Sequence, residues 1–255
     1  YYNLNKTIGH YYGNTYNDIA TWKSVTGMDG QSVSVEPFYS TPVELSINQA
    51  LLNDAGQAIA GIDSDINGVP RNPVNPDIGA TEYAPCLNDA GINEVTSPEN
   101  PVNEGSQQVR VILQNQGTAM LSSANIQWMV NGQPQPVYPW AGNLGQGERT
   151  EVLIGNYSFM PGIMYTIRVW TELPNNISDC NPLNDTISSR PLAVPLCGSY
   201  TIGGNNPDFQ SFIEAVQLLN LAGIGCPVIF TVNNGTYYEM LNIKHFPGTS
   251  DVNTV

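Results

Sequence analysis

The sequence predicts a mainly β protein laid out in three successive pieces. Three observations predict it. Polarity is carried by Asn, Gln, Ser, Thr, Gly and Pro, since only 12% of residues are charged, and that mix favours strands and turns over helices. Short alternating apolar runs recur between Gly/Asn/Asp turns along most of the chain. One stretch towards the C-terminal end breaks the pattern and reads as a single amphipathic helix.

Residues 1–84 form the first piece. QSVSVEPFY (Gln31–Tyr39) sets Val33, Val35 and Pro37 at period two, and VELSI (Val43–Ile47) repeats the pattern with Val43, Leu45 and Ile47. TGMDG and NDAG supply turns, and no helix of ordinary length is expected here. In residues 85–196, QQVRVILQNQG, IQWMVNGQ (Ile126–Gln133), RTEVLIG and MYTIRVWTEL each read as a strand, with a strong turn signal at Asn131-Gly132. This rhythm suits an Ig-like β-sandwich of about 100 residues, with Trp128 or Trp170 filling its core. Residues 197–255 read strand, helix, strand, turn, strand. Asp208 is the expected N-cap. Phe209, Phe212, Ile213, Val216 and Leu219 share a helical face, and Gly223 is the stop. A buried strand over Pro227 to Val232, a turn at Asn234-Gly235 and a last strand, TYYEMLNI, complete the piece.

Composition excludes several functions. Lys plus Arg is 8 against 22 Asp plus Glu, a net charge of −14, which opposes nucleic acid and anionic membranes alike. No run of about 18 apolar residues is available to insert into a bilayer. The chain starts in strand-like residues and stops without a closing signal, so both ends read as cuts in a longer polypeptide. Cys86, Cys180, Cys197 and Cys226 lack metal-ligand spacing. Their even number points to two disulfides in an oxidising compartment, with three connectivities open.

Each piece carries a resemblance. DINGVPRNPVNPDIGATEY resembles the closing rung of right-handed parallel β-helices of the pectate-lyase-like type, through Asp65, Gly68, Arg71, Asp77, Ile78, Gly79, Ala80, Glu82 and Tyr83. Trp22, Gly27, Asp29, Ser32 and Pro37 extend that likeness upstream. The middle piece is similar to CARDB-type, immunoglobulin-like adhesion modules of bacterial surface proteins, through Asp89, Gly91, Asn115, Gly117 and Leu144–Glu148. The last piece resembles the opening of another β-helix in large secreted Bacteroidota proteins. Tyr200, Thr201, Ile202, Gly203, Gly204, Phe209, Phe212, Ala215, Val216, Gly235, Thr236, Tyr237 and Glu239 carry it.

The resemblance implies a chain that closes one β-helix, crosses a sandwich spacer and opens a second β-helix under a cap helix. It implies Cys197–Cys226 pairing across that helix, Cys86–Cys180 pairing across the sandwich, and Arg71 neutralising Asp65 or Asp77. It implies a non-catalytic extracellular scaffold or adhesin segment of a large surface protein, exported by the type IX route. Partners would be glycans, other surface proteins or neighbouring repeats of the same chain. The alternative is an ancillary region of a polysaccharide-degrading enzyme or a carbohydrate-binding protein, for which Tyr11, Tyr12, Tyr16, Tyr237 and Tyr238 are candidate sugar contacts. No catalytic residue is assigned. DSDING opens like an EF-hand loop, but Val74 stands where the bidentate carboxylate belongs. Ca²⁺ is the one candidate cofactor, at Asp179, Asn181, Asn184 and Asp185 in a single oxygen-rich loop. Thr186, in an Asp-Thr-Ile triplet, is a candidate O-glycosylation site.

Overall fold

The computed structural model describes residues 7–37, 39 and 47–255. Most of the strand expected over Val43–Ile47 therefore lies outside the described residues. The chain divides into two compact units. One runs to Asp89 and takes in Asn115–Met120 and Gly145–Gly147; the other holds Ala90–Gln114, Leu121–Leu144 and Glu148–Val255.

The first unit opens with an antiparallel hairpin, β1 (Gly9–Tyr11) and β2 (Asn14–Tyr16). An unexpected helix follows, α1 (Ile19–Thr26), of 8 residues with none buried. Its signal lies in its caps rather than in an apolar stripe. Asp18 accepts from the Thr21 amide at 2.7 Å, and Gly27 closes the helix at φ 67. That amide bond holds the Asp18 carboxyl below its ordinary range. Trp22, Asp29 and Ser32 act together: Trp22 Nε1 and Ser32 Oγ both donate to the Asp29 carboxylate, at 2.6 and 3.3 Å. The strand expected over Gln31–Tyr39 is not formed in residues 31–37, and Tyr39 makes an isolated antiparallel bridge to Ile47. Alternation sorts side chains to two faces but supplies no neighbouring backbone to bond. The described ladder of this unit is the antiparallel hairpin, so the β-helix rungs implied for residues 1–84 are not among its described elements.

The stretch ending at Tyr83 is a clasp of carboxylates on amides. Asp65 accepts from the amides of Asn67, Val69 and Glu82 at 2.8, 2.8 and 3.0 Å. Asp77 accepts from those of Asp54 and Tyr83, both at 2.7 Å. Glu82 accepts from that of Asp77 at 3.0 Å and pairs with Arg71 at 3.0 Å. Arg71 makes its direct ion pair with Glu82 and spends its other donors on the Gly79 and Asp77 carbonyls, while its charge still acts on Asp65, as expected, without a hydrogen bond to it. Gly56 admits the chain here: a Cβ would sit 2.6 Å from the Pro76 carbonyl oxygen. Tyr83 donates its hydroxyl to the Gln49 carbonyl at 2.6 Å. Its phenol is pushed up to about 12 by burial first, then by the Asp77 charge.

The second unit begins with ten strands. In chain order they are β3 (Ala90–Ser97), β4 (Gly105–Asn115), β5 (Leu121–Val130), β6 (Gln133–Pro134), β7 (Tyr138–Leu144), β8 (Arg149–Phe159), β9 (Met164–Tyr165), β10 (Ile167–Glu172), β11 (Ile187–Ser188) and β12 (Leu192–Ala193). One sheet runs β3-β4-β8; a second runs β11-β10-β5, with β6 and β7 both bonded to β5; β9 and β12 form a separate antiparallel pair. Each long strand sends alternate residues inward: Val109, Val111 and Leu113 from β4; Ile126, Trp128 and Val130 from β5; Ile167 and Val169 from β10. The Asn131-Gly132 turn forms as read, with φ 48 and 78. Trp128 lies in this core at 2% exposure, its Nε1 satisfied by the Pro136 carbonyl at 3.0 Å. Trp170 does not lie there. It has the opposite parity to Ile167 and Val169, so it faces outward, with the Arg168 guanidinium 5.8 Å from its ring centroid and Nε1 on Glu172 at 2.9 Å.

The same unit continues into β13 (Leu196–Ile202), α2 (Phe212–Ala222) and β14 (Ile224–Val232), with β13 and β14 paired in parallel. Ala215, Val216, Leu218, Leu219 and Ala222 are the buried helix residues. Their core gathers Tyr200, Ile202, Phe209 and Val228 and is separate from the Trp128 core. Asn100 links the two, donating to the Leu221 carbonyl at 2.6 Å and accepting from Ala193 at 2.9 Å. Gly223 ends the helix as expected, but its N-cap is Ser211. Asp208 is taken by the Thr201 amide and hydroxyl, at 2.7 and 2.8 Å, and those bonds hold its carboxyl low. The last expected strand, TYYEMLNI, is absent from residues 236–243. That segment serves the helix instead. Glu239 accepts from the Phe212 and Ile213 amides at 3.2 and 2.8 Å, where the helix dipole favours a negative charge. Tyr237 lays its ring against Phe212, with centroids 5.1 Å apart. Cys197 and Cys226, 29 positions apart in sequence, are bonded across the helix, a loop whose closure contributes about 3–4 kcal/mol.

Candidate functional site

The loop from β10 to β11 is the most oxygen-rich stretch that sequence reasoning singled out. It leaves the sheet through three left-handed residues, Leu173, Asn175 and Asn176, at φ 52, 53 and 60. Asn175 Oδ1 anchors it by accepting from the Ser122 amide and hydroxyl at 2.7 and 2.8 Å. Asp179 then folds the loop. Its Oδ1 accepts from the Asn181 amide at 2.7 Å, an Asx-turn, and its Oδ2 accepts from Ala90 at the start of β3 at 2.9 Å. Asn184 donates its amide to the Asn181 carbonyl at 3.3 Å. Asp185 is 6% exposed, and its carbonyl receives the Ile92 amide at 3.4 Å.

Of the four expected ligands, the two carboxylates are brought together: an oxygen of Asp179 and one of Asp185 lie within 4.8 Å. Ca²⁺ binds oxygen at 2.3–2.6 Å, so one ion spans that separation. The donor set also suits it, being two carboxylates with two amide side chains, Asn181 and Asn184, in the same loop. Thr186 follows directly and is exposed.

The remaining candidates are dispersed. Cys197 and Cys226 form the expected bond. Cys86 and Cys180 are each disulfide-bonded, and no cysteine is free. Tyr11 and Tyr16 pack edge-on against Trp22, with ring centroids 6.4 and 5.8 Å apart. Tyr237 braces α2, whereas Tyr12 and Tyr238 project into solvent. The Trp170, Glu172 and Gln127 cluster on the outer sheet face was not anticipated: Glu172 holds Trp170 with one oxygen and Gln127 with the other. Strand parity was the signal that could have placed it.

No family model matches the chain, and no curated protein matches it. Solved structures do. The CARDB domain of a Pyrococcus furiosus protein, crystallised in complex with di-metal ions, is 19% identical over 42% of this chain and 89% of that one, at a TM-score of 0.35. A domain assigned to a cell-surface protein of Methanosarcina acetivorans is 20% identical over 42% of this chain and 92% of that one, at 0.34. A Listeria innocua β-glucosidase bound to gluconolactone is 12% identical over 47% of this chain and 18% of that one, at 0.25. No helix among the described residues is long and apolar enough to cross a membrane.

Proposed function

We propose that this chain is a non-catalytic segment of an extracellular or cell-surface protein, a scaffold or adhesin piece in which a sandwich module spaces the ends of two parallel β-helices. One observation carries the reading: six charged side chains in the stretches of strongest resemblance are spent on backbone groups. Arg71 holds two carbonyls. Asp65, Asp77, Glu82, Asp208 and Glu239 each hold one or more amides. A general acid or base needs its proton-bearing atom aimed at substrate, and these are aimed at the chain. Disulfide bonding at all four cysteines supports an oxidising location, and a Cys86–Cys180 pair belongs to the same proposal. The parallel β13–β14 pair under α2 supports the start of a β-helix. Export from a Bacteroidota cell by the type IX route belongs to the same proposal. The test is incubation with neutral and uronate polysaccharides in the presence of Ca²⁺. No new reducing ends and no unsaturated products are expected, and turnover of any substrate favours an enzyme's ancillary region instead.

Calcium between Asp179 and Asp185 is part of this proposal. An ion bound only by the folded state stabilises by mass action. Millimolar Ca²⁺ is therefore expected to raise Tm by about 3 °C, and Asp179→Asn to abolish the increase. A wild-type Tm that does not move removes the ion.

A further inference from the structure

Tyr12 occupies a position that a tyrosine should avoid. It and Gly13 are the two loop residues of the β1–β2 hairpin, both at positive φ, 47 and 80. This is the geometry of a type I′ turn, whose first position is ordinarily Asn, Asp or Gly. A bulky residue with positive φ is an outlier that pays in backbone strain. Nothing is gained by burial in return, since Tyr12 is 88% exposed. The ring is nonetheless held in place. It stands edge-on to Tyr11 at 4.6 Å, and Tyr11 stands edge-on to Trp22. Trp22 is pinned by Asp29 through its indole nitrogen. Gly9 lets the hairpin seat on that indole, because a Cβ there would come within 2.6 Å of the ring. The result is a fixed aromatic ladder ending in one solvent-facing phenol.

We infer that Tyr12 is the stacking platform of a carbohydrate-binding site for neutral glycans. The surroundings fit that ligand class. His10, Asn14 and Thr15 flank the tip, all exposed and all able to hydrogen-bond. Thr15 Oγ1 lies 3.0 Å from His10 Nδ1, which orients both. A sugar ring offers an apolar C–H face to an aromatic and a rim of hydroxyls to such neighbours. A tyrosine meets it with a rigid, amphipathic surface at low conformational cost. No Asp, Glu, Lys or Arg lies between Gly9 and Tyr16, so the tip is not built to pair with an ionic ligand. The chain's net charge of −14 opposes uronate or sulfated glycans further. The site requires no catalysis and adds a ligand to a segment otherwise read as scaffold.

The discriminating variant is Tyr12→Asn, which supplies the residue the turn prefers. The full chain is applied to an array of neutral, uronate and sulfated glycans, and each variant is melted in parallel. Wild type is expected to bind neutral glycans. Tyr12→Asn is expected to lose about tenfold or more in affinity while its Tm stays level or rises. Tyr12→Phe keeps the stacking face and is expected to retain most of the binding, while Tyr238→Ala, at a residue 93% exposed elsewhere, is expected to change nothing. Absence of any neutral-glycan signal from wild type overturns the inference. So does a signal confined to acidic glycans, or one that Tyr12→Asn leaves intact.

Discussion

Replacing Trp128 with Ala is expected to cost the second unit about 4 kcal/mol and to lower its Tm by about 10–15 °C. The side chain is 2% exposed in a core that also holds Phe159, Ile126 and Val111. Truncation removes its buried area, leaves a cavity the two sheets cannot collapse into, and orphans the Pro136 carbonyl that its indole nitrogen satisfies. The neighbour across the core supplies a control. Gly155 on β8 faces the ring so closely that a Cβ would lie 2.7 Å from Trp128 Cζ2. Gly155→Ala alone is expected to cost about 1–3 kcal/mol by overpacking. In the Trp128→Ala background the added methyl enters vacated space, so its cost is expected to vanish or change sign. Calorimetric melts of the two single variants and the double variant measure this coupling. Additive losses would mean that the indole does not lie against Gly155 and that the sandwich core is packed differently.

What the sequence made legible divides along a physical line. Elements that bury one face against a core announce themselves by period, as the strands around Val109, Ile126 and Val169 do, and as α2 does through Val216 and Leu219. Elements held by particular polar contacts do not. Helix α1 buries nothing, so its only traces are Asp18 and Gly27 at its ends. Val33 and Val35 alternate as a strand should, yet strand formation depends on a neighbouring backbone that period alone cannot name. Asp208 is a good N-cap residue in isolation and lost the role to Ser211 because Thr201, brought close by β13, claimed its carboxylate first. Of the two candidate core tryptophans, residue type alone does not choose; strand parity does, sending Trp128 inward with Ile126 and Val130 and Trp170 outward. At the candidate cation loop the composition was readable, while the closeness of Asp179 to Asp185 depends on Asx-turn geometry around Asn181. Arg71 is legible as structural and its charge does act on Asp65, but its direct bond to Glu82 is not legible, because the backbone amides that claim Asp65 and Asp77 come from residues as distant as Glu82 and Asp54.

That clasp carries the other large expected effect. Asp77→Ala is expected to destabilise the first unit by about 2–3 kcal/mol, because it leaves the partly buried amides of Asp54 and Tyr83 without their acceptor. Asp77→Asn keeps one acceptor oxygen and is expected to cost roughly half as much. The readout is hydrogen exchange at the Asp54 and Tyr83 amides, alongside the melt. The clasp should also fail in acid. Burial pushes the Asp65 carboxyl up, but the amides of Glu82, Val69 and Asn67 and the Arg71 charge outweigh it and hold the group below its ordinary 3.8. A carboxylate depressed in the folded state stabilises fully above its unfolded value, and that contribution is lost as pH falls through the lower, folded value. Wild type is therefore expected to hold a level Tm down to about pH 5 and to lose it steeply below about 3.8. The Asp65→Asn variant should start lower and fall less. Parallel acid profiles for the two proteins, or slow exchange at Tyr83 surviving Asp77→Ala, would show that this stretch is closed by something other than its carboxylates.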